Sequence, residues 1–99
     1  MPYKLLCISN DEVLTQVRQL LFEREGYEVT SAFDLTEAMN QCRAGTFDVV
    51  FIGHSVAIDD VRALVGAIQQ HCNAPIVTVR YPNDPDIPGA RCLNIGQPL

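Results

Sequence analysis

This chain predicts a single α/β domain built on a parallel sheet, and three observations carry that reading. Two short apolar runs, Leu5-Leu6-Cys7-Ile8 and Val49-Val50-Phe51-Ile52, the second closed by Gly53, read as strands buried on both faces, as the centre of a parallel sheet requires. Segments of this kind alternate with segments whose apolar residues recur at helical spacing, joined by short loops, which calls for right-handed crossovers between parallel strands. The length of 99 residues supports one domain with a modest core, with no room for a separate output domain.

Taken in order, Tyr3 to Ser9 is the first strand. It ends in Ser9-Asn10-Asp11-Glu12, where a serine three residues ahead of a glutamate has the form of a capping box. A helix follows in which Val13, Leu14, Val17, Leu20 and Leu21 recur at the spacing of a core-facing helical stripe, and Gly26 supplies the left-handed stop. Tyr27 to Ser31 alternates apolar with polar residues, as an edge strand does. Asp34-Leu35-Thr36-Glu37 repeats the cap-plus-glutamate pattern and opens a second helix with Leu35, Ala38, Met39 and Cys42 on one face, closed by Gly45.

The central strand then runs through Phe47-Asp48-Val49-Val50-Phe51-Ile52 and delivers Gly53-His54-Ser55 to its carboxyl end, where the loops of an open α/β sheet usually carry the chemistry. A third helix turns Val61, Leu64, Val65 and Ile68 inward and is expected to stop at Asn73. Ala74 to Val79 is the fourth strand, with Pro75 at its start, where a missing N–H costs least. From Tyr81 to Gly89 the regularity fails: Pro82, Pro85 and Pro88 each remove a donor and disfavour helical geometry in the preceding residue. Arg91 to Ile95 is a short fifth strand.

Twelve acidic against seven basic residues, with a pI near 4.7, leave no basic cluster for a phosphate backbone, so nucleic acid is not an expected partner. No apolar run approaches membrane-spanning length and the start lacks the form of a signal peptide, so a cytoplasmic protein is expected. Cys7, Cys42, Cys72 and Cys92 are too far apart for zinc or dithiol spacings and read as small buried hydrophobes in a reducing compartment.

The order of elements and several local runs resemble the receiver domain of two-component response regulators. The resemblance rests on Lys4-Leu5-Leu6-Cys7-Ile8 with its polar turn, Leu20 to Val29 with its Glu25-Gly26-Tyr27-Glu28-Val29 core, Asp34 to Arg43, Phe47 to Ile52, Ala74 to Val79, and Gly89-Ala90 with Gln97-Pro98. It implies a flavodoxin-like, five-stranded parallel sheet of order 2-1-3-4-5 over residues 1–99. It also implies phosphoryl transfer to an aspartate, which needs a nucleophilic carboxylate, two acidic Mg²⁺ ligands, a hydroxyl and a lysine to neutralise moving charge. Those positions fall in this sequence on Gly53, on Ser9 and Asn10, on Arg80 and on Gln97, so every one has changed and the chain resembles a degenerate receiver.

Asp48 cannot substitute, since five strand residues at roughly 3.3 Å each place it about 16 Å from Gly53, at the other end of the strand. Asp11 and Glu12 lie near the crevice but suit a helix start, and His54 follows the missing nucleophile. Arg80 puts a cation where a hydroxyl is expected, and pairing with Asp11 or Glu12 would lock the crevice in one state.

The fourth helix of the family is expected to be replaced by the proline-rich loop and the fifth to be absent. Sheet around Val77, Val79, Leu93 and Ile95 would then be uncovered, which marks a surface for a protein partner or a homodimer, or else a domain cut from a longer protein after its fifth strand. The leading function is a non-enzymatic, phosphorylation-independent signalling and interaction module without cofactor or metal. The alternatives are a phosphoacceptor using Asp11 or His54, and a thiol or small-ligand domain, which lacks a glycine-rich phosphate loop after the first strand.

Overall fold

A central sheet of five parallel strands in the order β2-β1-β3-β4-β5 organises the molecule. The computed structural model describes residues 3–53, 56–71, 74–80 and 87–94, with residues 93 and 94 described by their backbone alone. The strands are β1 (Lys4–Ile8), β2 (Glu28–Ala32), β3 (Val49–Ile52), β4 (Ile76–Arg80) and β5 (Arg91–Asn94), and the helices are α1 (Glu12–Arg24), α2 (Leu35–Ala44) and α3 (Ile58–His71). Element order and strand order are those expected from the sequence, including β2 at an edge.

Register follows from which residues must be buried. Leu5 to Ile8 pair in order with Val49 to Ile52 at the centre of the sheet, and Val50 pairs with Ile76. Pro75, which cannot donate, instead accepts from the Val50 amide at 2.9 Å. At the lower rim, Asp48 accepts from the Lys4 amide through Oδ2 at 2.7 Å and its own amide donates to the Lys4 carbonyl, so this carboxylate fastens the base of the sheet and serves no chemistry.

Because side chains alternate along a strand, the sheet has two separate cores. On one face Leu6, Ile8, Val50, Ile52 and Ile76 pack with Ala38 and Cys42 of α2 and with Val61, Leu64, Val65 and Ile68 of α3, the inward residues the periodicity indicates. On the other, Leu5, Cys7 and Phe51 pack with Phe22 and Tyr27 and with half-buried Val29, Val49, Val77 and Val79.

Local signals set the helix ends with one correction. The cap of α1 is Asp11, which accepts from the Leu14 amide at 3.0 Å, whereas Ser9 Oγ accepts from the Asp11 amide at 3.2 Å and so shapes the turn before the helix. Asp34 caps α2 at 2.7 Å as expected, and Glu37 reaches back to the Phe33 amide at 3.5 Å. Gly26 follows α1 at φ 96°, a left-handed conformation that disfavours any side chain.

A second correction concerns the face α1 turns inward. Thr15, Arg18, Gln19 and Phe22 form the inward face, and the apolar stripe points away: Val13 is 72% and Leu20 67% exposed, with Val17 and Leu21 also exposed. Two of the inward polar groups are matched: Thr15 Oγ1 donates to the Asp11 carbonyl at 2.7 Å and Ser31 Oγ donates to Gln19 Oε1 at 3.1 Å. Periodicity alone reports that a stripe exists, and only the neighbouring elements decide where it faces.

Between β4 and β5 the described residues form a tight turn. Ala90 N donates to the Ile87 carbonyl at 3.2 Å across Pro88 and Gly89, and Gly89 stands at φ 88°, so proline then glycine meet the demands of a type II turn. Ile87 is 3% exposed and joins the core beside α3. Of the residues expected to be uncovered, Val77 and Val79 are half-buried on the other face, while Thr78 and Arg80 on the α3 side are buried.

Replacing Ile87 with Ala is expected to cost about 2–4 kcal/mol, in the range for truncating a buried branched residue. Urea denaturation followed by circular dichroism measures it, and a loss under about 1 kcal/mol would show that Ile87 is not part of the core.

Candidate functional site

The crevice at the carboxyl ends of β1 and β3 is formed by Cys7, Ser9, Asn10, Asp11, Arg18, Phe51, Gly53, Val56 and Arg80. Gly53 is buried and held by its amide to the Ile8 carbonyl at 2.9 Å, while its own carbonyl accepts from the Val56 amide at 3.3 Å. What fills the space beside it comes from α1. A Cβ placed on Gly53 would collide with Arg18 Nη1, with Arg18 Cζ and Ser9 Cβ both at 3.5 Å. The Arg18 guanidinium, with Cζ 5.1 Å from the Phe51 ring centroid, therefore stands where a longer residue at position 53 would project.

Burial lowers the pKa of Arg18, opposed by the neighbouring Cys7 thiol and Asp11 carboxylate. Burial also pushes the Cys7 thiol up to about 11, and Arg18 opposes this only in part, so Cys7 is a neutral, inert thiol at physiological pH. The cation that shares the crevice with Asp11 is thus Arg18. The sequence signal that could have revealed it is one arginine on the side of α1 opposite its apolar stripe.

Arg80 is 7% exposed, and its Nη1 donates to the Val56 carbonyl at 2.8 Å. That contact ties the end of β4 to the β3–α3 loop, where a pairing with Asp11 or Glu12 was expected. Ser9 is fully buried and Asn10 exposed, and Asp11 and Glu12 are exposed at the start of α1, the first as its cap. His54 and Gln97 lie outside the described residues, as do Cys72, Asn73 and Ile95. Leu93 lies opposite Val79 in the register of β4 and β5.

Beside the crevice, Ser9, Asn10, Phe33, Asp34, Val56 and Asp60 line a cleft of about 210 Å³. Among the described residues no group of three or more His, Cys, Asp or Glu side chains could hold a metal ion. A fixed guanidinium beside Gly53 also opposes a divalent cation there by like charge. Cys7 and Cys42 are buried and Cys92 is half-buried, in keeping with the expected small hydrophobes. No described helix is long and apolar enough to cross a membrane.

This fold, with a crevice at the carboxyl ends of β1 and β3, is that of response-regulator receiver domains. The particular similarities are these. No family model matches the chain. It is 27% identical over 79 residues to the transcriptional regulatory protein KdpE of Staphylococcus aureus, a match covering 80% of this chain and 34% of that protein, so the chain spans about a third of that relative's length. Among solved structures, a CheY-like receiver domain from Methylobacillus flagellatus superposes with a TM-score of 0.84 at 17% identity, covering 100% of this chain and 89% of that one. The chemotaxis protein CheY4 of Vibrio cholerae gives 0.82 at 19% identity, over 99% and 90% of the two chains. A response regulator from Burkholderia pseudomallei, solved with a phosphorylated aspartic acid, a calcium ion and citrate, gives 0.81 at 21% identity, over 97% of this chain and 61% of that one.

Two measurements check the crevice. Gly53→Ala alone should change stability by less than about 1 kcal/mol, because relief of glycine's entropy offsets displacement of Arg18 from Phe51. In an Arg18→Ala background the same change should stabilise, giving a coupling of about 0.5–1 kcal/mol; strict additivity would show that the two do not share the space. Separately, Cys7 has a folded pKa of about 11 against an ordinary 9.0, so its stabilising contribution is whole below pH 9 and is lost as pH rises toward 11. Cys7→Val should remove a pH-dependent loss of about 2–3 kcal/mol over that window, read from urea midpoints; identical profiles for the two proteins would refute it.

Proposed function

We propose that this chain acts as a receiver-like signalling module that works through protein interaction and without phosphorylation. The single observation that carries the reading is the Arg18 guanidinium beside Gly53. Phosphoryl transfer to a carboxylate needs an anionic nucleophile and a divalent cation in one crevice. Here the nucleophile's position on β3 offers a hydrogen atom, and the adjoining volume holds an organic cation fixed by an aromatic ring.

Arg80 supports the same reading. A hydroxyl that could turn toward a phosphate would serve as a sensor, whereas a buried guanidinium bound to the Val56 carbonyl holds the β3–α3 loop in one arrangement. The domain is then a fixed surface with no enzymatic activity. Its input is a binding partner met through the β4–β5 side of the sheet, and a buried thiol such as Cys7 suits a cytoplasmic setting.

Incubation with acetyl phosphate and Mg²⁺, followed by intact mass and peptide mapping, tests this directly. The expected result is an unmodified chain. Stoichiometric phosphorylation at one residue would overturn the proposal, and modification of Asp11 or His54 would establish the displaced phosphoacceptor in its place.

A further inference from the structure

We propose that the cleft beside the end of β1, between the starts of α2 and α3, seats an arginine side chain presented by a basic segment of a partner protein. Size and lining set the class of occupant. The cleft holds about 210 Å³, below the roughly 300 Å³ at which pockets for drug-sized molecules begin, and room for one long side chain. Its floor is apolar, formed by the buried side chains of Ile8, Val56 and Leu64. Phe33 and Leu35, 40% and 37% exposed, add an apolar wall, and Asp34 and Asp60 complete the lining, which contains no cation. An apolar slot ended by carboxylates matches a side chain with an apolar stem and a cationic head. Arginine fits better than lysine, because a guanidinium stacks on a ring such as Phe33 and bonds two carboxylate oxygens at once. A divalent ion fits poorly, since two carboxylates over an apolar floor fall short of the roughly six oxygen ligands it takes.

The slot is fixed before a partner arrives. Asp34 Oδ1 accepts from the Glu37 amide at 2.7 Å as the cap of α2, which holds the carboxylate in place and leaves Oδ2 for a ligand. Glu37 in turn accepts from the Phe33 amide at 3.5 Å, and Arg80 holds the Val56 segment through its carbonyl at 2.8 Å. Among the described residues neither Asp34 nor Asp60 is in an ion pair, whereas the neighbouring Asp59 meets Arg62 at 3.9 Å.

Charge around the cleft favours a basic protein segment as the source of that arginine. Among the described residues, the caps and first turns of the three helices place Asp11, Glu12, Asp34, Glu37, Asp59 and Asp60 at the carboxyl end of the sheet, against Arg18, Arg62 and Arg80. Each helix start adds about half a positive charge, too little to reverse that excess, so the rim draws in basic chains and repels phosphate groups. A lone small cation gains little from one narrow slot, while a segment with several basic residues also meets the rim. The inference rests on the reading of the chain as an interaction module, but its test involves no phosphate donor, so each fails by its own measurement.

The probe is a labelled peptide of alternating arginine and glycine, titrated with the full chain and followed by fluorescence anisotropy and amide NMR shifts. It should bind and shift the amides of Asn10, Phe33 and Leu35, and a peptide with lysine for arginine should bind about fivefold more weakly. Asp34→Asn, which keeps a capping side chain, and Asp60→Asn should each weaken binding about fivefold. Glu23→Gln, the same change of charge near the far end of α1, should leave affinity within about twofold. All three carboxylates are exposed, so the urea midpoints of these variants should stay close to the parent's. No binding at millimolar peptide, an equal loss with Glu23→Gln, no preference for arginine over lysine, or amide shifts confined to other parts of the chain would each overturn the proposal. Arginine amide binding as tightly as the peptide would overturn the assignment to a protein segment.

Discussion

A parallel sheet buries its central strands only if both faces are covered, and this requirement shapes every part of the molecule. On one side α2 and α3 lie over the core, and Ile87, delivered by the Pro88-Gly89 turn, joins them. On the other side, among the described residues, the cover is α1, and the aromatic contacts extend its reach. Phe22 packs edge-on against Phe51 at 5.4 Å and against Tyr27 at 6.1 Å, carrying the influence of α1 from the edge strand to the centre of the sheet. Cover stops at that point, which is why Val77 and Val79 remain partly accessible.

The crevice follows from the same arrangement. Because α1 turns a mixed face inward, it brings Arg18 to the carboxyl end of β3, and the guanidinium lies across Phe51 with its apolar plane buried and Asp11 nearby. Only glycine leaves room for it. The missing side chain at position 53 and the cation are thus two halves of one packing solution. Arg80 holds the loop after β3 through the Val56 carbonyl.

An inward face of Thr15, Arg18, Gln19 and Phe22 would be costly if its polar groups were bare, but Thr15 donates to a backbone carbonyl and Gln19 accepts from Ser31 across the edge of the sheet. With those bonds made, α1 can keep its leucines and valines outside. The helix behaves as an element between two layers, with its own sheet on one side and a hydrophobic stripe on the other.

By itself the sequence determined the order of elements and the parallel sheet. Both depend on local chemistry: apolar runs, the Asp34 cap, glycine after α1 and the Pro88-Gly89 pair before β5. The inward residues of α3 were legible for the same reason, since its apolar positions lie on one face and a single core awaited them. Only the tertiary structure decided that the α1 stripe faces outward, that Arg18 fills the space beside Gly53, that Arg80 binds a carbonyl, and that Asp11 caps its helix alone. Those facts depend on distances between residues far apart in the chain, and periodicity carries no information about which neighbour a side chain will meet.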